Sequence, residues 1–505
     1  MRSALIYPYY YSGGSEAFYV RPAGSNYGTG DGTSYENAWA GDADIDWASI
    51  PSGATLYVAG AWTETLNIDN SNVTIQNYGA DPVTIDGADA INSGVVVVNK
   101  SNVTITGITV TNVLVNGFYF EGSTGIVTNN CSASNSSNQG FQHIGATTAT
   151  HNNPTCTDNT DDGISVHDSG VITVNGGTFD GNAENINIIA TAQVTINGSP
   201  TFTGTSTYDL YVTNATSANS STITMNGGTV RNISADIGGR IILNDVTVSG
   251  TTSLSVGAGA GSIIATRSIF TGTFTVSTDG IAVLTNCYAE VFGTIGGSIT
   301  FSKCYVKDDL ALGATGTVIA EYSIFDGTGT AAALIDVNSG ALGQIKYCVF
   351  KNMAANQFGV SFRTGALASS YCNNCTFIGT ADVGRGLFSQ IDLTSSNNIY
   401  YDLAIGYFRS AGTSILNNNC FFGNAAATSG TVTNNNAVNG DPLLVDVANN
   451  DFTLGVLSPC KAAGADLGST FLAGIDTAVW GDANTVPVVT TKNQDALWDI
   501  GAYTD

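Results

Sequence analysis

DGISVHDSGVITVNG, at residues 162–176, aligns with ENINIIATAQVTING, at residues 184–198, at an offset of 22 residues. Apolar and polar residues alternate in the same register in both stretches, and both end in Asn-Gly. A repeat of roughly 20 to 50 residues is typical of stacked units that cannot bury their apolar faces alone. Because the alternation follows the period of a strand, each unit consists of strands rather than helices. The two stretches therefore predict a β-solenoid.

The same register continues on both sides of this pair. NGFYF at 116–120 and QGFQH at 139–143 precede DGISV at 162–166 in steps of 23 residues, and YDLYV follows at 208–212. A second ladder starts at Cys131, Cys156, Phe179 and Phe202. It resumes as SIF (268–270), CY (287–288 and 304–305), SIF (323–325), CVF (348–350), CTF (375–377), NIY (398–400) and CFF (420–422). Together these repeats predict about a dozen coils.

The repeats also define a fold class and a domain plan. A winding coil joins each strand to its parallel neighbour without a helical crossover, and such connections are right-handed almost without exception. We therefore expect an all-β fold, a single-stranded right-handed parallel β-helix with capped ends. A solenoid grows by adding coils, so 505 residues need no second core. We assign an N-terminal segment and cap to residues 1–50, the β-helix to 51–440 and a closing segment to 441–505.

The charge of the chain excludes two classes of partner. It has 40 acidic and 15 basic residues and a formal net charge of −25, and residues 101–230 contain no Lys or Arg. Such a surface repels phosphate groups, so we expect neither nucleic acid nor anionic membrane as a partner. No apolar run approaches the length of a membrane span, which argues against membrane insertion.

The first residues lack the pattern of a secretory signal. MRSALIYPYYYSGG, at 1–14, has one Arg but no sufficiently long apolar core. The composition nevertheless resembles that of an exported surface protein. We expect an extracellular or virion-surface location, reached either after removal of a signal or by release of virus particles on host lysis.

Most Cys and two of the three His are expected in the core. Cys occupies ladder positions that other coils fill with Phe, Ser or Asn, which indicates small buried side chains stacked along the axis. Cys372 and Cys375 have metal-ligand spacing, but no second Cys pair or nearby His accompanies them. His143 is level with Phe120 and Val166, at an inward position. His151 aligns with Val174 and receives the same assignment.

Both ends of the chain carry a family resemblance. Near the N-terminus it rests on FYVRPAGS (18–25), GDGTS (30–34), GATLYVAG (53–60) and GADPVTIDG (79–87). Near the C-terminus it rests on GDPLLVD (440–446) and DIGAY (499–503). These stretches resemble the first coils and the closing segment of the pectate-lyase-like right-handed β-helix superfamily. The resemblance implies the fold and leaves the reaction open, because the superfamily includes lyases, hydrolases, epimerases, adhesins and phage tailspikes.

The ends of a solenoid expose its core, so large side chains are needed to cover them. We assign this role to Trp39, Trp47 and Trp62 at one end, and to Trp480 and Trp498 at the other. Stacking on a sugar is the alternative role for these side chains.

The best candidate for chemistry lies in the span without basic residues. Asp162 aligns with Glu184 in the next coil, and neighbouring strands lie roughly 4.8 Å apart. Repulsion between stacked carboxylates raises the pKa of one of them, which is how a general acid arises beside a carboxylate base or nucleophile. Ser165 and His167 should point outward from the same strand. Asp161, Asp162, Glu184 and His167 are therefore the candidate catalytic residues of a hydrolytic site.

The same acidic residues have two other interpretations. Asp158, Asp161 and Asp168 are candidate metal ligands, with Ca²⁺ as the ion that such a cluster binds, although no cofactor is required. Asp-Asp-Gly and Asp-Asn are also ordinary turn sequences. Asn159 to Asp162, together with His167, is similar to fragments of the polygalacturonase pattern. No Arg-x-Lys follows, so the catalytic roles of that family are not transferred.

Three function classes remain. The first is a virion-associated tail spike or fibre-like protein that binds cell-surface glycan, for which the superfamily implies a parallel homotrimer. The second is a secreted polysaccharide hydrolase or lyase. Hydrolysis is favoured over β-elimination, because lyases use Arg or Lys near the substrate and the nearest basic residues, Arg231, Arg240 and Arg267, lie in later coils. The third is a structural or adhesive surface protein without enzymatic activity.

Overall fold

A computed structural model describes residues 16–79, 83–213, 221–254, 261–327, 332–480 and 485–504. The N-terminal stretch MRSALIYPYYYSGG and residues 80–82 of GADPVTIDG lie outside the described residues. The chain divides into two compact units. Within the described residues, the first contains 16–187 and 191–207, and the second contains 188–190 and 208–504.

The first unit is built from three parallel sheets that the chain visits in turn. Sheet 1 contains Ala17–Arg21, Trp39–Ala40, Thr55–Val58, Val73–Asn77, Val103–Thr106, Ile126–Asn129, Thr148–Asn152, Val171–Asn175 and Gln193–Asn197. Sheet 2 contains Ala61–Trp62, Val83–Asp86, Ile108–Thr111, Ser132–Ser134, Thr155–Thr157, Thr178–Asp180 and Thr201–Thr203. Sheet 3 contains Leu66–Ile68, Ser93–Val98, Asn116–Glu121, Phe141–Ile144, Asp162–Val166 and Glu184–Ile189. Two short 3₁₀ turns, Asp42–Asp44 and Trp47–Ser49, precede the regular coils.

The second unit repeats this arrangement and ends in antiparallel pairs. One face contains Thr222–Asn226, Arg240–Asn244, Ser262–Thr266, Ile281–Thr285, Ser298–Ser302, Thr317–Glu321, Leu342–Lys346, Tyr371–Asn373, Leu393–Ser396, Ser414–Asn417 and Thr433–Asn435. The other faces contain Tyr208–Thr213, Thr229–Val230, Ile233–Ala235, Thr247–Val248, Thr252–Leu254, Ile269–Val276, Tyr288–Ile295, Tyr305–Lys307, Leu310–Ala311, Ile324–Asp326, Ala333–Val337, Val349–Lys351, Phe358–Phe362, Thr376–Ile378, Arg385–Ser389, Ile399–Tyr401, Ile405–Arg409, Cys420–Phe422 and Ala426–Ser429. The closing residues contain 3₁₀ turns Val447–Asn449 and Ser469–Phe471 and the strands Leu444–Asp446, Asp451–Leu454, Ala473–Val479 and Val488–Asn493.

The strand register confirms a right-handed parallel β-helix and the alignment from which it was predicted. Ile172 pairs with Val194 and Val174 with Ile196, at the predicted offset. The number of turns is about 17, so the prediction of a dozen was too low. Some coils of the second unit are shorter than the step used for counting, as the pairing of Tyr288 with Tyr305 illustrates.

Inward positions form the core, as the alternation predicts. His143 and His151 are both fully buried in the first unit, which confirms their assignment to the core. All nine Cys are buried and have free thiols. The ladder begins differently from the prediction, because Cys156 pairs with Ala133 rather than with Cys131.

Asn side chains stabilise the corners of the coils. Asn129, Asn152, Asn175 and Asn197 end four successive strands of sheet 1, and each amide donates to the previous one over 2.8, 2.8 and 3.2 Å. Asn130 and Asn153 adopt the left-handed conformation, with φ of 50° and 51°. Asn tolerates this region better than most residues, which explains why it recurs at these turns.

The five Trp side chains differ in burial. Trp39 and Trp62 are 3% and 1% exposed in the first unit, and Trp480 and Trp498 are buried in the second. Trp480 also donates from Nε1 to the hydroxyl of Tyr503 over 2.9 Å. Trp47 is only half-buried, so it covers the core less completely than the other four. Within the described ranges, the structure has no helix that is long and apolar enough to cross a bilayer.

Candidate functional site

The candidate site lies at the start of the strand Asp162–Val166 in sheet 3. Gly163 follows Asp162, and a Cβ at this position would lie 2.6 Å from the carbonyl oxygen of Asn185 in the next coil. The neighbouring coils have Gly117 and Gly140 at the equivalent place, each with a carbonyl oxygen 2.7 Å from where a Cβ would be. Glycine thus permits close backbone approach at this corner, which brings the flanking polar side chains of successive coils together.

The structure brings three of the four predicted catalytic residues into one group. Carboxylate oxygens of Asp161, Asp162 and Glu184 lie within 4.8 Å of one another. Asp162 is 2% exposed, whereas Asp161 and Glu184 are half-buried. Asn187 Nδ2 donates to Asp162 Oδ2 over 3.3 Å, and Gln139 Nε2 donates to Asp161 Oδ2 over 2.8 Å. The three carboxyl groups therefore form one electrostatically connected cluster.

Burial separates the protonation states of these groups. Burial, with smaller contributions from the charges of Asp161 and Glu184, raises the pKa of Asp162 to about 7 against the opposing hydrogen bonds of Ser165 and Asn187. Burial and the charge of Asp161 also raise the pKa of Glu184, whereas a hydrogen bond with Asp162 lowers it. Asp162 is consequently still partly protonated at neutral pH, beside the carboxyl groups of Asp161 and Glu184. The sequence analysis attributed the raised pKa to repulsion between carboxylates alone, whereas burial of Asp162 is the larger cause.

Four buried acceptor oxygens form a column that includes Asp162 and continues beyond the cluster. Among the described residues, Asn116 Oδ1, Gln139 Oε1, Asp162 Oδ1 and Asn187 Oδ1 are buried and accept no hydrogen bond from the protein. Asn116, Gln139 and Asp162 each precede a glycine, and the residue after that glycine begins the pairing between the three successive strands. Buried acceptors are normally satisfied, so this column lacks donors or a cation that the protein itself does not supply.

His167 directly follows the strand Asp162–Val166 instead of lying on it, as was predicted, and its ring contacts the side chain of Ser165. Its Nε2 atom is 3.1 Å from Ser165 Oγ. Burial lowers its pKa, although the charges of Asp168 and Asp161 oppose this effect. Ser165 is fully buried, so this Ser–His pair cannot present a nucleophile to a polymer. The neutral imidazole of His167 is instead a half-buried donor or acceptor at the edge of the cluster.

The predicted metal ligands are only partly brought together. Asp161 belongs to the carboxylate group, but Asp158 and Asp168 are exposed turn residues with φ of 53° and 60°. Asp168 Oδ2 accepts a hydrogen bond from the backbone N–H of Gly145 over 3.1 Å. The oxygen donors that suit Ca²⁺ are therefore Asp161, Asp162 and Glu184, with the unpartnered Asp162 Oδ1 among them.

An outward-facing row extends from the cluster along sheet 3. Asn67 pairs with Val96, Val96 with Tyr119, Tyr119 with Gln142 and Gln142 with Ser165. Tyr119 donates from its hydroxyl to Glu121 Oε2 over 2.8 Å, and Asn116 Nδ2 donates to Gln142 Oε1 over 2.7 Å. The prediction missed Asn116, Gln139 and Gln142, although their 23-residue spacing from Asp162 and Ser165 was visible.

Comparison with known proteins finds similarity of limited extent. Residues 395–467 match a family model described as disaggregatase related. Pectate lyase Pel9A is 12% identical, covering 97% of this chain and 96% of its own, with a TM-score of 0.28. The A-module of the mannuronan C-5 epimerase AlgE6 from Azotobacter vinelandii is 13% identical, covering 79% and 94%, with a TM-score of 0.29. PfbA, a surface adhesin of Streptococcus pneumoniae, is 9% identical, covering 88% of each chain, with a TM-score of 0.25.

No curated protein matches the sequence. At sequence identities and TM-scores this low, neither the role of a residue nor a reaction can be transferred from these proteins to this chain. The class is that of the right-handed parallel β-helix, which the repeat and the strand register define. Its function must be argued from the residues of sheet 3.

Proposed function

We propose that the chain binds a polysaccharide or cell-surface glycan along sheet 3 of the first unit. The observation that supports this proposal is the column of unpartnered acceptors on Asn116, Gln139, Asp162 and Asn187. Sugar hydroxyls are donors that would satisfy such oxygens, and a polymer would present them at several successive coils. The absence of Lys and Arg from 101–230 favours a neutral glycan, because a uronate polymer would meet carboxylates of its own sign.

Hydrolysis of the bound glycan is a second candidate, favoured by the protonation of Asp162. A carboxylic acid with a pKa of about 7 can donate its proton to the glycosidic oxygen while a neighbouring carboxylate attacks or stabilises the anomeric carbon. Glu184 is the partner we assign to that second role. Inverting glycosidases separate their carboxyl groups by roughly 6.5 to 9.5 Å, so the closer approach of this pair favours retention of configuration.

A tail spike or fibre-like protein at the virion surface, assembled as a parallel homotrimer, is the particular form that we propose. The superfamily resemblance and the exported-type composition support it. A structural or adhesive surface protein without enzymatic activity is the alternative. Sedimentation of the purified chain separates monomer from trimer, and a monomer at micromolar concentration would contradict the spike.

The proposed function is tested with a panel of bacterial and plant polysaccharides. Wild type, Asp162→Asn and Glu184→Gln are assayed for binding, for new reducing ends and for the absorbance of unsaturated uronates. Thr195→Val serves as the matched control, because Thr195 lies on sheet 1 of the same unit. Hydrolysis predicts new reducing ends that both carboxyl variants lose and the control retains. Binding without product supports a spike or adhesin, and absence of binding to every glycan contradicts the proposal.

Calcium is the competing occupant of the carboxylate cluster. Three carboxylates and free oxygens are the ligand types that this ion prefers. Titration calorimetry with CaCl₂ distinguishes the two cases. Saturable Ca²⁺ binding that Asp162→Asn abolishes, together with glycan binding that EGTA leaves unchanged, would assign the cluster to the ion and the glycan to the rest of the row.

A further inference from the structure

A cavity of about 400 Å³ opens at the far end of the row that contains the candidate site. Its walls include Asp42, Ile45 and Trp47 from the 3₁₀ turns, and Val96, Val98 and Lys100 from sheet 3 and the residues after it. Small-molecule sites have volumes of roughly 300 to 1,000 Å³. The cavity is therefore large enough for a small ligand and belongs entirely to the first unit.

The wall that contains Trp47 is held in place by hydrogen bonds. Asp42 accepts from the backbone N–H and the side-chain amide of Asn67, over 2.8 and 2.7 Å. Asn70 Nδ2 donates to the carbonyl oxygens of Trp47 and Ile50, over 2.7 and 3.0 Å. These bonds tie the 3₁₀ turns to sheet 3, so the indole is positioned before any ligand arrives.

The lining combines an aromatic surface with polar groups at the rim. Trp47 is half-buried, unlike Trp39 and Trp62, and Val96 and Val98 extend the apolar wall. Lys100 Nζ lies 2.6 Å from Asp69 Oδ1, and this Asp side chain is 69% exposed. A pyranose ring likewise has apolar C–H groups, which can pack against the indole of Trp47, and hydroxyl groups, which can hydrogen-bond to the ion pair of Lys100 and Asp69.

Strand register connects the cavity to the candidate site. Asn67 and Val96 line the cavity and belong to the same outward row as Tyr119, Gln142 and Ser165. Four strand spacings separate Asn67 from Ser165, a length of roughly 19 Å. One extended oligosaccharide could therefore occupy both places.

We infer that the cavity beside Trp47 is a distal subsite that binds one sugar ring of a neutral glycan whose chain continues over the carboxylate cluster. This inference rests on the proposed function for the identity of the polymer. It assigns to Trp47 a binding role in place of the capping role. It also predicts that affinity depends on the length of the glycan chain.

The test measures binding of neutral oligosaccharides of two lengths, prepared from whichever polysaccharide the panel identifies. Trp47→Ala should weaken binding of an octasaccharide by about tenfold and leave binding of a trisaccharide within about twofold. Trp47→Phe should retain most of the affinity, since it keeps an aromatic face. Tyr78→Ala is the matched control, because Tyr78 is an exposed aromatic residue that directly follows the strand Val73–Asn77 of sheet 1 in this unit. Thermal unfolding of each variant verifies that it is folded.

Two outcomes separate failure of the subsite from failure of the proposed function. Equal effects of Trp47→Ala on both lengths, or no effect on either, would overturn the subsite while leaving glycan binding intact. Quenching of Trp fluorescence by free neutral monosaccharides that Trp47→Phe abolishes, together with octasaccharide binding that Asp162→Asn and Glu184→Gln leave unchanged, would support the subsite and contradict glycan binding at the carboxylate cluster.

Discussion

The imidazole rings of His143 and His151 meet inside the first unit, with their Nε2 atoms 2.9 Å apart. Both rings are fully buried, and His151 Nδ1 lies 2.7 Å from the hydroxyl of Thr128. Two neutral rings satisfy this contact if one donates and the other accepts. Burial lowers the pKa of His151 to about 3, and burial and the charge of His151 lower that of His143.

This contact predicts that the first unit loses stability in acid. An unfolded His has a pKa of about 6.5, so below that pH the unfolded chain binds protons that the folded chain does not bind. This difference stabilises the unfolded state as the pH falls. At pH 5 the penalty from His151 alone is roughly 2 kcal/mol, from 1.36 kcal/mol for each pH unit. Chemical denaturation at pH 7 and pH 5 measures it.

A double variant supplies the control for this prediction. His143→Phe and His151→Val introduce the residues found in register at Phe120 and Val174. We expect the difference in unfolding free energy between pH 7 and pH 5 to shrink by about 2 kcal/mol or more. An unchanged pH dependence would assign the acid sensitivity to other groups.

Asp162 has the opposite effect on stability across the pH range. Its pKa of about 7 in the folded chain lies above the value of about 3.9 for an unfolded Asp, so the folded chain loses stability as the pH rises between these values. Asp162→Asn should therefore stabilise the protein at pH 8, by at most about 4 kcal/mol, and have little effect at pH 4. Thermal unfolding at both pH values checks this, with the exposed Asp44→Asn as the control. Equal effects at the two pH values would contradict a buried, protonated Asp162.

The thiols of all nine Cys should be unreactive in the folded protein. Each is buried, and burial raises the pKa of Cys131, Cys156 and Cys348 well away from neutrality. A thiol reagent attacks the exposed thiolate, so burial opposes reaction at all nine thiols and the raised pKa opposes it further at these three. Titration with Ellman's reagent should detect almost no thiol before denaturation and all nine after it. Ser52→Cys adds an exposed control thiol that should react at once, and rapid reaction of wild type would contradict the buried ladder.

The fold could be predicted from the sequence because every second residue of a strand points into the core and is therefore apolar. Ile172 and Val194 were aligned on this basis and are paired. The number of coils was not accessible in the same way, since coils such as that of Tyr288 and Tyr305 depart from the common step.

The candidate site was accessible only in part. Asp162 and Glu184 could be recognised because the alignment of the two repeats places one carboxylate directly beside the other on neighbouring strands. Asn116 and Gln139 carry no such signal, because uncharged amide side chains become informative only when their oxygens are buried without a donor. Trp47 resembles Trp39 and Trp62 in sequence and differs from them in burial alone.

Asn397, which lies within the disaggregatase-related match, is one of the residues that hydrogen-bond the closing segment to the β-helix. Its Nδ2 donates to Ala465 O and its Oδ1 accepts from Ala465 N, each over 2.8 Å, and the residue is fully buried. Asn397→Asp preserves the acceptor and tolerates the φ of 58°, but it places a carboxylate oxygen against the Ala465 carbonyl. We expect a loss of about 1 to 3 kcal/mol and faster cleavage after residue 440 in limited proteolysis. Asn436→Asp, at an exposed residue with a φ of 52°, should change neither; equal effects of the two substitutions would attribute the loss to charge alone.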